Sequence, residues 1–258
     1  MDRMLLILST FAFGGAVVQA LVSLKAGTWK ESRWHWVPML IGLLFQTAFL
    51  YLRGQDHGRC PLTNLFEVFI FIGWAIVLLY FLVGTTYRLS LLGVFTAPMI
   101  ALLQALALVS SLDQSVPRAR TAPNAWLEMH AAISLIAYAA FAMACVTGIM
   151  YLVQERLLKR HRIHGLFYQL PPIHELGKAI QRLTITGSLL LSVGLAASIP
   201  LHLPISNPKL VFAWTVWFMY LGVNLIIWRR MLSARQTAWL AVVSFIVPLV
   251  SVGIVTRA

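Results

Sequence analysis

A carboxylate inside an apolar stretch is the first feature of this sequence that could carry chemistry. Glu67 lies roughly one helical turn into the stretch, and Asn64 precedes it by three residues, so both side chains share a helix face. An ionisable residue at membrane depth is costly and is therefore a candidate functional residue. The same pattern also fits a carboxylate that hydrogen-bonds a neighbouring helix end and fixes the packing.

Two histidines at the ends of apolar stretches are the second feature. His130 opens one stretch shortly after Trp126, and His202 follows the next stretch. A neutral imidazole nitrogen that faces the interior of a bundle can ligate haem iron, so the two histidines predict a bis-histidine pair. Alternatively, a lone histidine at a membrane boundary is an amphipathic residue whose ring extends to the interface without binding a metal. The sequence has no Cys-x-x-Cys-His motif, so any haem is expected to be bound non-covalently.

Basic and aromatic side chains that suit a porphyrin are the third feature. Arg118 and Arg120 precede His130, and guanidinium groups pair well with carboxylates such as the two haem propionates. Trp214 and Trp217 are three residues apart and could stack on a porphyrin face. The alternatives are solvated loop charges for the arginines and membrane-interface anchors for the tryptophans.

The elements that must position these residues are membrane-spanning helices. Of the 258 residues, 60% are hydrophobic and 11% are charged, and the mean hydropathy is +0.82. A soluble domain is typically about 45–50% apolar and about 25% charged, so this composition excludes an ordinary soluble protein. The net charge of +12 then indicates membrane orientation rather than a nucleic-acid partner.

Eight apolar stretches are long enough to span a bilayer, which takes roughly 20 residues each. The loops between them are too short for a soluble domain. The sequence therefore predicts one all-α domain over residues 1–258, a polytopic membrane protein with about eight transmembrane helices. The predicted spans are 4–24, 35–53, 62–83, 89–110, 125–155, 176–199, 209–228 and 236–255.

The basic residues predict how these spans are oriented. Thirteen of the 20 Lys and Arg residues lie in loops on one side of the eight-span arrangement, which the positive-inside rule assigns to the cytoplasm. The non-cytoplasmic side then carries both termini together with Glu67, His130 and His202. The basic segment Arg156–His164 lies on the cytoplasmic side, where it predicts contact with anionic lipid or a docking partner. The seven other basic residues are Arg3, Arg53, Arg59, Arg118, Arg120, Lys209 and Arg257.

Several motifs, in this order along the chain, resemble a known family. Residues 61–67 read Pro-Leu-Thr-Asn-Leu-Phe-Glu and precede Trp74, and residues 92–98 read Leu-Gly-Val-Phe-Thr-Ala-Pro. His130 is followed by a helix that leaves the membrane as Tyr-Leu-Val-Gln-Glu-Arg-Leu-Leu-Lys at residues 151–159. The chain resembles the integral-membrane cytochrome c assembly proteins of the CcsA type, and among them the shorter HemX-like branch.

One departure from the family pattern qualifies this resemblance. Synthase members carry a Trp-rich segment that presents haem, and only a remnant of it is recognisable here at residues 206–210. Asn207 and Leu210 stand where that segment has Asp and Glu. A later histidine of the synthases is also absent, with Gly222 or Asn224 near its place. These losses put haem presentation and thioether formation in doubt but leave haem contact at His130 open.

The resemblance implies haem binding or handling in cytochrome c biogenesis at a bacterial plasma membrane. His130 and His202 would be the axial ligands, and Glu67 a polar organiser of the outer vestibule. No catalytic activity is expected beyond that of a component of a cytochrome c synthase. Expected partners are the lipid bilayer and a synthase partner subunit or apocytochrome c, with no nucleic acid. The alternative is a HemX-like membrane regulator that acts through a cytoplasmic haem-biosynthesis enzyme.

Overall fold

The chain folds into a set of long helices. The computed structural model describes residues 2–26, 36–87, 92–108, 124–159, 172–201 and 208–255, and nearly all of these are helical. A short 3-10 turn, Ile199–Leu201, follows the sixth helix. The helices are α1 (Asp2–Ala26), α2 (Val37–His57), α3 (Leu65–Tyr87), α4 (Leu92–Ala107), α5 (Ala125–Lys159), α6 (Ile173–Ser198), α7 (Pro208–Trp228), α8 (Ala234–Ser244) and α9 (Ile246–Val255).

These helices account for the predicted spans. Within the described residues, seven segments are long and apolar enough to cross a membrane, and the shorter apolar helix Phe95–Ala107 lies in α4. Helices α8 and α9 share one of the seven segments, Ala234–Val252, and only Phe245 separates them. The break falls there because Pro248 has no N–H and its ring crowds the carbonyl of Ser244, four residues earlier. The chain is an all-α polytopic membrane protein, which confirms the predicted fold class.

Two helices continue past their predicted ends for local reasons. Helix α5 runs past the predicted span to Lys159, through the exit segment 151–159 that the sequence indicated, because its last turn consists of good helix formers and Glu155 accepts a bond from Lys159 at 2.7 Å. Helix α2 runs to His57 rather than to residue 53. It ends there because Gly58 takes a left-handed conformation with φ of 63°. The extension of α2 is a polar turn, whereas that of α5 combines Arg156 and Lys159 with two leucines.

Helices α3 and α5 form the centre of the bundle, and α5 packs most extensively against α6. Helices have no hydrophobic incentive to associate in lipid, so small residues that let backbones approach are important. A Cβ at Gly187 would lie 2.4 Å from the ring of Phe141, and one at Gly194 would lie 2.7 Å from Ser134 Oγ. The two glycines of α6 are therefore required for its contact with α5.

The ring of Phe141 is held on its other side as well. It stacks on Tyr220 of α7 with the ring centroids 3.5 Å apart and an interplanar angle of 8°. Both side chains are almost completely buried. Phe141 therefore has no space into which it could withdraw from a larger residue at position 187.

This packing predicts different effects for two glycines of the same helix. Gly187→Ala should lower the free energy of unfolding by about 1–3 kcal/mol, because its methyl group overlaps Phe141. Gly177→Ala meets no atom within 4 Å and should be neutral or stabilising by up to about 1 kcal/mol. Denaturant titration in detergent micelles measures both. Equal effects of the two substitutions would contradict the close approach of α5 and α6.

Candidate functional site

The start of α3 is built from the Asn-x-x-Glu spacing. Asn64 Oδ1 accepts a hydrogen bond of 2.9 Å from the backbone N–H of Glu67, which is the usual N-cap contact. Glu67 Oε2 in turn accepts bonds of 2.7 Å from both the backbone N–H and the hydroxyl of Thr63. This reciprocal pair resembles a capping box shifted by one residue. It explains why α3 begins at Leu65 rather than at the predicted residue 62.

The other oxygen of the Glu67 carboxylate binds the end of α2. Arg53 Nε donates to Glu67 Oε1 at 3.0 Å, and His57 Nε2 lies 3.7 Å from the same oxygen. The carboxylate is completely buried, and a buried charge is tolerated only when it is paired and hydrogen-bonded. These are the contacts of a carboxylate that fixes the packing of neighbouring helix ends. Direct contact between Glu67 and a cofactor stays a prediction.

The turn between α2 and α3 lies beside the start of α5. Cys60, in this turn, is half-buried outside the membrane-spanning segments. Burial is the main cause that raises the pKa of the Cys60 thiol, and with the negative charges of Glu128 and Glu67 it brings that pKa to about 11. We call Glu67 and the side chains that contact it (Arg53, His57 and Thr63) the Glu67 cluster. Because Glu128 belongs to the first turn of α5, this cluster and the start of α5 lie at the same end of the bundle. His130 is on that first part of α5.

His130 bonds to the backbone of α6. Its Nδ1 lies 2.7 Å from the carbonyl oxygen of Gly194. A carbonyl oxygen can only accept, so Nδ1 carries the proton and Nε2 of the neutral ring keeps a lone pair. Metal-ligating histidines usually hold their second nitrogen in this way, which fixes the tautomer and the ring orientation. A metal ion bound by half-buried His130 would therefore be held by Nε2.

The two predicted tryptophans belong to α7, and Trp217 contacts a side of α6 different from the one that His130 contacts. Trp217 Nε1 donates to Ser192 Oγ at 2.8 Å, and Trp214 packs edge-on against Trp217 with the ring centroids 5.4 Å apart. Ser192 and Gly194 are two residues apart, which is about 200° around a helix. The tryptophan pair and His130 therefore contact different faces of α6. The tryptophans do not join His130 in the described arrangement.

Three predicted site residues fall outside the described residues. They are His202, Arg118 and Arg120. The bis-histidine pair and the arginine contacts with propionates therefore stay predictions. Within the described residues, no group of three or more His, Cys, Asp or Glu side chains could hold a metal ion. A metal bound at this end would therefore be held by His130 without a cluster of three such side chains among the described residues.

Arg53 and His57 belong to the site but are not among its residues predicted from the sequence. Both bind within the Glu67 cluster, and His57 Nδ1 also lies 2.7 Å from the carbonyl oxygen of Arg53. One signal was available, because Arg53 ends an apolar stretch and a buried carboxylate at the start of the next one needs a cation. The connection between the helices of Arg53 and Glu67 is short, and it keeps both side chains at the same end of the bundle.

Comparison with known proteins gives the family. The model of the family described as Cytochrome C assembly protein matches residues 62–199, which is just over half of the chain. A bundle of membrane-spanning helices with a capped Asn-x-x-Glu helix start and an oriented histidine thus lies within the matched region. The chain belongs to the cytochrome c assembly protein family.

Two curated relatives agree with this assignment. The chain is 38% identical over 113 residues to the cytochrome c biogenesis protein CcsA of Chlorella vulgaris, covering 43% of this chain and 36% of that protein. It is 27% identical over 230 residues to CcsA of Chlamydomonas reinhardtii, covering 74% of this chain and 65% of that protein. The chain thus spans less than two thirds of the length of these relatives.

The position of Cys60 predicts slow alkylation. A pKa of about 11 leaves little thiolate near pH 8, so iodoacetamide should react roughly a hundredfold more slowly than with a thiol of pKa about 9. In a Cys145→Ala background, the rate should keep rising tenfold per pH unit up to pH 10, and Glu128→Gln should increase it. Mass spectrometry measures the modified fraction. A plateau near pH 9 would exclude this environment for Cys60.

The contacts of Glu67 predict a loss of stability on neutralisation. Glu67→Gln should lower the free energy of unfolding by about 1–3 kcal/mol, because Arg53 and Thr63 lose a charged acceptor in a buried site. Glu175→Gln is the control, since Glu175 forms an exposed pair with Lys178 and should change stability by less than about 1 kcal/mol. Denaturant titration without added cofactor compares them, and equal stabilities of wild type and Glu67→Gln would argue against a structural role.

Proposed function

We propose that this chain binds haem non-covalently and handles it during cytochrome c biogenesis, with Nε2 of His130 as an axial ligand. Family membership supports the process, since relatives that match the chain are cytochrome c biogenesis proteins. The bond between His130 Nδ1 and the Gly194 carbonyl supports the ligand, because it leaves the lone pair on Nε2. This bond is the observation that carries the proposal.

The donor chemistry of the site suits haem. A bound haem would supply an iron that accepts an electron pair from nitrogen, together with two anionic propionates. On the protein side, His130 holds the donor pair and the Gly194 carbonyl orients the ring. The Glu67 cluster joins the ends of α2 and α3 near the start of α5 and keeps this end of the bundle in one arrangement.

Five further residues complete the proposal, and three of them lie outside the described part of the chain. His202 is the proposed second axial ligand, and Arg118 and Arg120 are the proposed partners of the propionates. Trp214 and Trp217 would reach a porphyrin only along the face of α6 that carries Ser192. The proposed location is a bacterial plasma membrane with both termini on the non-cytoplasmic side, and residues 1–258 form one domain.

The proposed partners are a cytochrome c synthase subunit or apocytochrome c, in addition to the bilayer. We assign the chain no independent catalytic activity, because only a remnant of the Trp-rich segment is recognisable at residues 206–210. Regulation of a haem-biosynthesis enzyme through Arg156–His164 draws no support from the relatives described above. Membership of the HemX-like branch stays a prediction.

Removal of the imidazole tests this proposal. His130→Gly should lose most of the Soret absorbance per protein in detergent, because the iron loses its nitrogen donor. Added imidazole should restore the absorbance, since it supplies the same donor in the space left by the side chain. His174→Ala is the control, because His174 is exposed at the start of α6, at the other end of the bundle.

Two results would count against His130 as ligand. The first is unchanged Soret absorbance and haem stoichiometry in His130→Gly. The second is a loss of absorbance that imidazole does not reverse although size-exclusion chromatography shows the variant to be folded.

A further inference from the structure

A groove opens at the end of the bundle opposite to His130. It lies between the last turns of α5 and the first turns of α8 and has a volume of about 650 Å³, a size common for ligand pockets. Its walls are apolar. They are formed by Ile149, Leu152, Val153, Leu157, Trp239 and Val242.

Charged side chains line the mouth of this groove. Glu155 accepts a bond of 2.7 Å from Lys159 Nζ with one oxygen, and its other oxygen lies 3.5 Å from Arg235 Nε of α8. Arg156 is the third cation that lines the groove. The three cations outnumber the single carboxylate, so the mouth carries a net charge of +2. Glu155 thus holds cations from two helices on either side of the opening.

The ends of the helices place this mouth at the membrane surface. Helix α5 ends at Lys159, and α8 begins at Ala234 behind a capping box formed by Ser233 and Gln236. Trp239 is half-exposed on the first turns of α8, where an amphipathic ring is typical of the interface. The groove therefore has cations at the level of lipid headgroups and apolar walls at the level of the acyl chains.

We propose that this groove binds an anionic phospholipid. The phosphate lies between Arg156 and Arg235, and one acyl chain follows the wall formed by Leu152 and Trp239. Charge complementarity selects the anionic headgroup, and the apolar walls select a ligand with a long tail rather than a free anion. Lipid binding in the groove is independent of haem binding, because the groove and His130 lie at opposite ends of α5.

A lipid titration of the full chain tests the proposal. The protein in dodecyl maltoside is titrated with dioleoylphosphatidylglycerol or dioleoylphosphatidylcholine, and complexes are counted by native mass spectrometry. The wild type should bind phosphatidylglycerol at least tenfold more tightly than phosphatidylcholine. The double variant Arg156→Gln/Arg235→Gln should bind phosphatidylglycerol about 25-fold more weakly, at about fivefold for each cation removed.

Two further variants distinguish the groove from general charge effects. Arg156→Lys/Arg235→Lys keeps the charge and should keep most of the preference for phosphatidylglycerol. Arg229→Gln/Arg230→Gln removes the same charge from the turn between α7 and α8, outside the groove lining, and should bind like the wild type. Leu152→Trp should weaken binding of phosphatidylglycerol by filling the groove.

Three outcomes would overturn the proposal. Equal affinity of the wild type for the two lipids would remove the role of the cations. An equal loss in the Arg229→Gln/Arg230→Gln variant would show a general charge effect. Displacement of phosphatidylglycerol by millimolar inorganic phosphate would show an anion site that does not use the apolar walls.

Discussion

The close approach of α5 and α6 sets both the packing of the bundle and the position of the His130 ring. It exists because Gly187 and Gly194 present no side chain to Phe141 and Ser134. The same approach brings the carbonyl of Gly194 within 2.7 Å of His130 Nδ1. One packing feature thus holds the central helix pair together and sets the tautomer of the histidine. A larger residue at position 194 would push apart the two backbones that this bond joins.

Two of the scarce carboxylates connect helix ends. The chain has only eight acidic residues, and two of them bind groups from two elements each. Glu67 joins Arg53 of α2 to the start of α3, and Glu155 joins Lys159 of α5 to Arg235 of α8. In a membrane protein the free-energy cost of desolvating a carboxylate is offset only where the carboxylate accepts bonds from several donors. Both of these carboxylates lie at helix ends, where such donors are available.

The spans could be predicted from the sequence because the bilayer fixes the length and polarity of each helix. The helix ends were predicted less well, since they depend on local chemistry such as the cap at Asn64 and the left-handed Gly58. His130 and Glu67 could be found as candidates from residue type and position. Their partners could not all be found, because the Gly194 carbonyl is a backbone group 64 residues away and carries no side-chain signal.

The proposed role of His130 requires that its ring is held by the Nδ1 proton and offers Nε2 to iron. The most direct measurement is nitrogen NMR of protein labelled with ¹⁵N in its histidine rings, with His130→Ala used to assign the resonances. We expect the Nδ1-protonated tautomer for His130 without haem and a perturbation of the Nε2 resonance when haem is added. An Nε2-protonated ring that does not respond to haem would contradict this expectation.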